Sequence, residues 1–138
     1  MRPIVSILKS GKVKLLKDYT VSMGLVYFKL KKGFISDGAS IPRVFAFFGD
    51  AFDGNTLNGA LIHDALYATK GEVKINNILS KLPRKNTDAI FYDIMKHDGT
   101  PLWQRCIYYI GVRLGGWLPF NYGRKKDHRE VISIKVIC

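Results

Sequence analysis

Residues 56–69 constrain this chain more than any other segment. At about 100° per residue, Leu57, Leu61, Ala65 and Ala68 share one helical face, and Ile62 and Leu66 widen it. Ala60, His63 and Tyr67 group on another side, with Asp64 between that group and the main stripe. A helix this apolar all round is largely buried, so the rest of the 138-residue chain has to cover it. That length suits one domain, residues 1–138, with a real core, and 47% hydrophobic against 24% charged residues is ordinary globular composition.

The flanking segments indicate what the cover is. Residues 4–8 and 13–16 read as strands around a tight turn at Ser10-Gly11. Residues 25–30 alternate, with Val26, Phe28 and Leu30 on one face and Tyr27, Lys29 and Lys31 on the other. Lys32-Gly33 then turns the chain into Phe34-Ile35. A second helix is predicted over 84–97, stopped by Asp98-Gly99. A third is predicted with Thr100 as cap and Pro101 in its first turn, ending at Gly115-Gly116. Residues 131–137 alternate like a closing strand. The expected fold class is α+β: a small antiparallel sheet from the N-terminal third plus a C-terminal strand, with about three packed helices.

The chemistry-bearing residues sit on the buried helix and its neighbour. A charged group among packed side chains needs a partner or a metal. On the second helix Ile90, Phe91, Ile94 and Met95 define the apolar face, and Asp88 lies at its edge, whereas Asp93, Lys85 and Lys96 point away. Helices joined by a short connection lie side by side and antiparallel, which would bring Asp88 to His63. A histidine oriented through one ring nitrogen keeps the other free to take a proton from water. Asp64 is then available as an oxygen ligand for a divalent cation. The bland alternative is a core histidine beside a carboxylate, a polar staple without chemistry.

Between strands and helices lies Asp37-Gly38-Ala39-Ser40-Ile41-Pro42-Arg43. Asp37 and Ser40 offer oxygens, and Arg43 offers a fork for phosphate or carboxylate; an Asx turn with Arg43 in a salt bridge accounts for the segment equally well. Arg43, Arg84 and Arg113 are the candidate anion-binding residues. Twenty-two Lys and Arg against eleven Asp and Glu give a formal charge of +11, which favours an anionic partner: nucleic acid, an acidic protein or lipid headgroups. His97, near a helix end, and His128, in a basic run, are expected to be solvated. Cys106 and Cys138 form no disulfide framework and lack metal-site spacing; Cys106 is expected in the core, and the usage suits a reducing compartment. No transmembrane stretch or export signal is legible, so the expected location is the cytoplasm of a bacterial host or a virion.

Gly33-Phe34, the 37–43 segment, Ile62-His63-Asp64-Ala65-Leu66-Tyr67, Arg84 with Asp88, Phe91 and Met95, and Val112-Arg113-Leu114-Gly115 resemble a family of uncharacterised small phage and prophage proteins, over about residues 25–116. The resemblance implies a phage-type origin and brings no activity. The helix pair carrying His63, Asp64, Tyr67 and Asp88 also resembles that of phospholipases A2, over roughly a quarter of the chain. It implies that His63 activates water, Asp88 holds His63, Tyr67 supports them by hydrogen bonding, and Asp64 with Asp37 binds a divalent cation, calcium in preference to zinc. The glycine-rich calcium loop and flanking disulfide of that family are missing here. No organic cofactor is expected. The leading expectation is a phage- or prophage-type accessory protein with a His-Asp-Asp site for metal-assisted hydrolysis of an anionic ester. The alternative is a non-catalytic virion component, or a host-factor or nucleic-acid binder, in which the trio is structural.

Overall fold

The computed structural model describes residues 5–7, 13–36 and 56–137. In chain order these residues form β1 (Val5–Ile7), β2 (Val13–Leu15), β3 (Tyr19–Met23), β4 (Val26–Leu30), β5 (Ile35–Ser36), α1 (Leu57–Ala68), β6 (Glu72–Ile75), β7 (Ile78–Lys81), α2 (Arg84–His97), α3 (Leu102–Gly115), α4 (Trp117–Tyr122), a 3-10 turn (His128–Glu130) and β8 (Ile132–Val136). The α+β class holds, with a richer sheet content than expected. A small antiparallel sheet has the order β1-β2-β5, and a five-stranded sheet has the order β3-β4-β8-β6-β7. The second sheet is mixed, because β8 runs antiparallel to β4 but parallel to β6.

Period-two alternation sets the faces of the large sheet. Tyr19, Val21, Phe28, Leu30, Val73, Ile132 and Ile134 are buried on one side, while Thr20, Lys29, Lys74 and Lys135 are exposed on the other. The buried side meets Leu61, Ile62, Ala65 and Leu66 of α1 in the main hydrophobic cluster. The opposite side of α1 contributes Ala60 to a second cluster with Phe91 and Met95 of α2 and Tyr108 and Val112 of α3. α1 is therefore sandwiched between sheet and helices, which is why it can be apolar all round. Helices α1 and α2 run antiparallel: Gly59 faces Phe91 and Met95, while Tyr67, two turns on, reaches Asp88. The approach is close enough that a Cβ on Gly59 would lie 3.0 Å from the Phe91 ring.

Several expectations need correction. The hairpin of β6 and β7, turned by Asn76-Asn77 with both residues at positive φ, was not anticipated, nor was β3. Asn76 also extends the sheet, with its side chain accepting from the Val136 N–H and donating to the Val136 carbonyl. Thr100 does not cap α3; the cap position belongs to Pro101, while the Thr100 hydroxyl lies 3.4 Å from that of Thr56. The closing strand is shorter than 131–137, and Cys106 is half-buried rather than in the core. The Ser10-Gly11 turn, the 37–43 segment and Cys138 lie outside the described residues. Among the described residues no helix is long and apolar enough to cross a membrane.

The chain leaves α1 through Gly71, which has φ +80° and accepts from the Leu82 N–H at 2.8 Å. A Cβ there would sit 2.0 Å from the Leu82 carbonyl oxygen. Gly71→Ala is expected to destabilise the fold by more than ~1 kcal/mol, since strain and clash both oppose it. Urea denaturation checks this, and an unchanged midpoint would contradict the packing described for this junction.

Candidate active site at the α1–α2–α3 junction

Four donors converge on the carboxylate of Asp88. His63 Nε2 lies 2.8 Å from Oδ1, and the Tyr67 hydroxyl donates to the same oxygen at 2.6 Å. Arg113 donates to Oδ2 at 2.8 Å, and Arg84, one turn before Asp88 on α2, reaches Oδ2 at 3.5 Å. The Arg84 guanidinium also donates to the carbonyls of Val112 and Arg113, satisfying the C-terminal turn of α3. Three helices are thus tied to one anion. His63 and Asp88 are wholly shielded from solvent, at 0% side-chain exposure each.

The local sequence explains this convergence. His63 and Tyr67 are four residues apart, so they stack along one face of α1, with ring centroids 4.1 Å apart. Phe91 covers the imidazole from α2 at 4.9 Å, and Phe120 of α4 meets the Tyr67 ring edge-on at 5.1 Å. Gly116 leaves room for that phenol: a Cβ there would come within 2.4 Å of the Tyr67 hydroxyl. Asp64 points a different way, toward the small sheet, where the Ser36 hydroxyl at the end of β5 donates to its Oδ2.

Electrostatics follow from burial and partners. Burial alone would raise the Asp88 carboxyl, but hydrogen bonds from His63, Tyr67 and Arg113 and the charge of His63 outweigh it and hold Asp88 below the usual carboxylate range. The Tyr67 phenol is pushed well above its ordinary value, first by burial and then by the adjoining Asp88 carboxylate. An ionised Asp88 can only accept, so Nε2 is the donor in the 2.8 Å contact and Nδ1 is the ring nitrogen left over. Among the described residues Nδ1 has no hydrogen-bond partner, and neither has Asp64 Oδ1.

The structure brings His63, Asp88 and Tyr67 together as one unit and sets Asp64 beside it. Asp37 and Arg43 lie outside the described residues. Arg84 and Arg113, the other candidate anion-binding residues, both contact the Asp88 carboxylate of their own chain. Among the described residues no three His, Cys, Asp or Glu side chains cluster as a metal site. Asp64 Oδ1, a buried carboxylate oxygen without a described partner, fits one ligand of a hard cation. Sequence reasoning missed Ser36 as a partner of Asp64. The signal was a polar residue on the inward side of a short strand. His97 bonds its neighbour Asp98 at the surface, as its position near the helix end suggests.

A buried Asp–His–Tyr cluster clasped by two arginines, on three helices over a mixed sheet, defines the class: an α+β protein with a polar helix-junction centre. The chain belongs to the family described as "Protein of unknown function (DUF1353)", which matches residues 13–112. Comparison with curated proteins and with solved structures returned no match.

Removing the carboxylate strands two guanidiniums and an imidazole, so Asp88→Ala is expected to cost about 3–5 kcal/mol. Because the folded pKa of Asp88 is depressed, its contribution to stability is complete above the unfolded value of ~3.9 and is lost as pH falls through the folded value. Urea midpoints measured from neutral pH downward should fall less steeply for Asp88→Asn than for the wild type. Parallel curves would remove Asp88 from the acid transition.

Proposed function

We propose that this is a phage- or prophage-type accessory hydrolase in which His63 is the general base acting on an anionic ester. One observation carries the reading: Asp88 engages Nε2 of His63, while Nδ1 has no partner among the described residues. In the proposed reaction a water and the ester enter the junction, where Nδ1 is shielded in the structure, and Nδ1 removes the water's proton as its oxygen attacks the ester carbon. Asp88 is the positioning residue, accepting the Nε2 hydrogen and stabilising the imidazolium that forms. Tyr67 holds Asp88 in register through the second bond to Oδ1. The proton on Nδ1 then passes to the departing alcohol oxygen, which restores the neutral ring.

Asp64 would contribute one oxygen to a calcium ion, with Asp37 as the second ligand that the sequence nominates. A cation held by these carboxylates would supply Lewis-acid chemistry at the ester. The formal charge of +11 supports an anionic substrate or partner of some kind, since a field of this sign concentrates anions near the chain.

A second reading is favoured by the complete burial of His63 and Asp88: the cluster is a polar staple that fixes the helix layer of a non-catalytic virion or host-factor-binding protein. The two readings separate on His63→Gln, which keeps the side-chain volume and a hydrogen bond. Release of fatty acid from phosphatidylglycerol vesicles in calcium is the assay. The catalytic reading expects wild-type turnover that EDTA abolishes and His63→Gln lowers by about 10²–10⁴-fold, with the melting temperature nearly unchanged. A folded wild type without turnover on this ester, or a variant that melts many degrees lower, favours the staple.

A further inference from the structure

The exposed face of the large sheet lies on the side away from His63, because α1 covers the buried face through Leu61, Ile62, Ala65 and Leu66. On that exposed face the register sets rows across the strands: Thr20, Lys29, Ser133 and Lys74 form one, and Ser22, Tyr27 and Lys135 the next. These rows floor a groove of about 810 Å³ whose described lining includes Lys29, Lys31, Lys74, Arg129 and Lys135 and no acidic residue. Lys74 and Lys135 have no carboxylate partner among the described residues. Lys29 meets Asp18 only at 3.7 Å and half-exposed, a pairing of small worth.

The basic surface continues past the groove. A neighbouring depression shares Lys31 and adds Lys32, Arg124, Lys125 and Lys126. Another shares His128 and Arg129 with the groove. The extension also carries carboxylates: Asp127 pairs with Arg129 at 2.7 Å, Glu72 pairs with Lys125 at 2.5 Å, and Glu130 lines the depression shared with Lys31. The result is a connected cationic track, longer than a single phosphate needs.

We infer that this track binds single-stranded nucleic acid, with the phosphodiester backbone on the lysine rows and a base stacked on Tyr27. The inference is independent of the hydrolase reading, since it uses the other face of the sheet. Charge complementarity selects an anionic occupant, and the length of the track selects a polymer carrying a charge on every unit. The concavity favours a thin flexible chain over the flat surface of a folded acidic protein or a bilayer. Tyr27, flanked by Lys29 and Lys135, supplies a ring for a base, and Thr20, Ser133 and Asn77 supply neutral hydrogen-bonding groups between the cations. The large apolar side chains exposed on the helix layer, Trp103, Ile110 and Leu114, belong to α3 and not to this groove.

The test is fluorescence anisotropy with a labelled oligothymidine of about fifteen nucleotides, repeated over a range of salt. Lys74→Gln with Lys135→Gln is expected to weaken binding about tenfold and to reduce the slope of log affinity against log salt by roughly 1.4. Lys85→Gln with Lys96→Gln removes the same charge from the exposed side of α2 and should leave affinity within about twofold. Tyr27→Leu should weaken binding about tenfold while leaving the salt slope unchanged. Equal losses in the two lysine pairs would overturn the proposal, because attraction would then be diffuse. So would an unaffected Tyr27→Leu, absence of oligonucleotide binding, or equally groove-dependent binding to polyglutamate or phosphatidylglycerol vesicles.

Discussion

A carboxylate with no access to water tolerates its charge only if the surrounding protein supplies the hydrogen bonds that water would have made. Asp88 is such a group, and the donors it needs are spread over three helices: His63 and Tyr67 on α1, Arg84 on its own helix and Arg113 on α3. Satisfying one anion therefore sets the relative positions of all three. Arg84 strengthens the constraint by donating to the last carbonyls of α3 as well. The direction of the Asp88 shift shows which effect prevails, since the donors keep the group ionised against the cost of burial. Orientation of His63 is a by-product of the same requirement. Once Nε2 is committed to Asp88, the ring has one nitrogen left to present elsewhere.

Placing that centre depends on a helix wrapped in two hydrophobic environments. α1 gives Leu61, Ile62, Ala65 and Leu66 to the sheet and Ala60 to the helix layer, so rotation about its axis would expose apolar surface whichever way it turned. It is held at two points along its length by polar contacts of its own. Near the first turn, Asn58 accepts from the Tyr19 hydroxyl on β3 and donates to Asp98 beyond α2. Asp64, midway along, accepts from Ser36 on the small sheet. These contacts fix both rotation and axial position, and a hydrogen bond such as His63–Asp88 at 2.8 Å needs both.

What could be read from residues alone was what local periodicity encodes. The bounds of α2 coincide with the predicted 84–97 because its apolar stripe has a clear 3.6-residue period and Gly99 takes positive φ just beyond it. The inward placement of Asp88 followed from the same angular bookkeeping, as did the two faces of β4. The missed elements are those whose signal is short or whose partner is distant. β6 and β7 have four residues each around Asn76-Asn77, a turn that supplies the required positive φ with less emphasis than a glycine would. The parallel pairing of β6 with β8 joins Ile75 to Ile134 across most of the C-terminal half, and no local pattern encodes it. The arginines were read as anion binders without their anion, because sequence spacing does not distinguish a carboxylate inside the chain from one outside it.

The two faces of the large sheet show why a strongly basic surface and a tightly specified core can coexist within a few ångströms. Side chains alternate strictly along a strand, so Phe28 and Leu30 enter the core while Tyr27 and Lys29 leave it, and the same separation recurs in β8 between Ile134 and Lys135. A change of charge on the outer rows leaves the packing against α1 untouched, and a change in the Asp88 cluster leaves the outer rows untouched. The backbone couples the faces through register alone, and register is held by the buried side, where a one-residue slip would turn Phe28, Leu30, Ile132 and Ile134 outward together. The positions of the surface lysines are thus consequences of hydrophobic burial on the opposite face. The cationic rows inherit their order from a core in which they take no part.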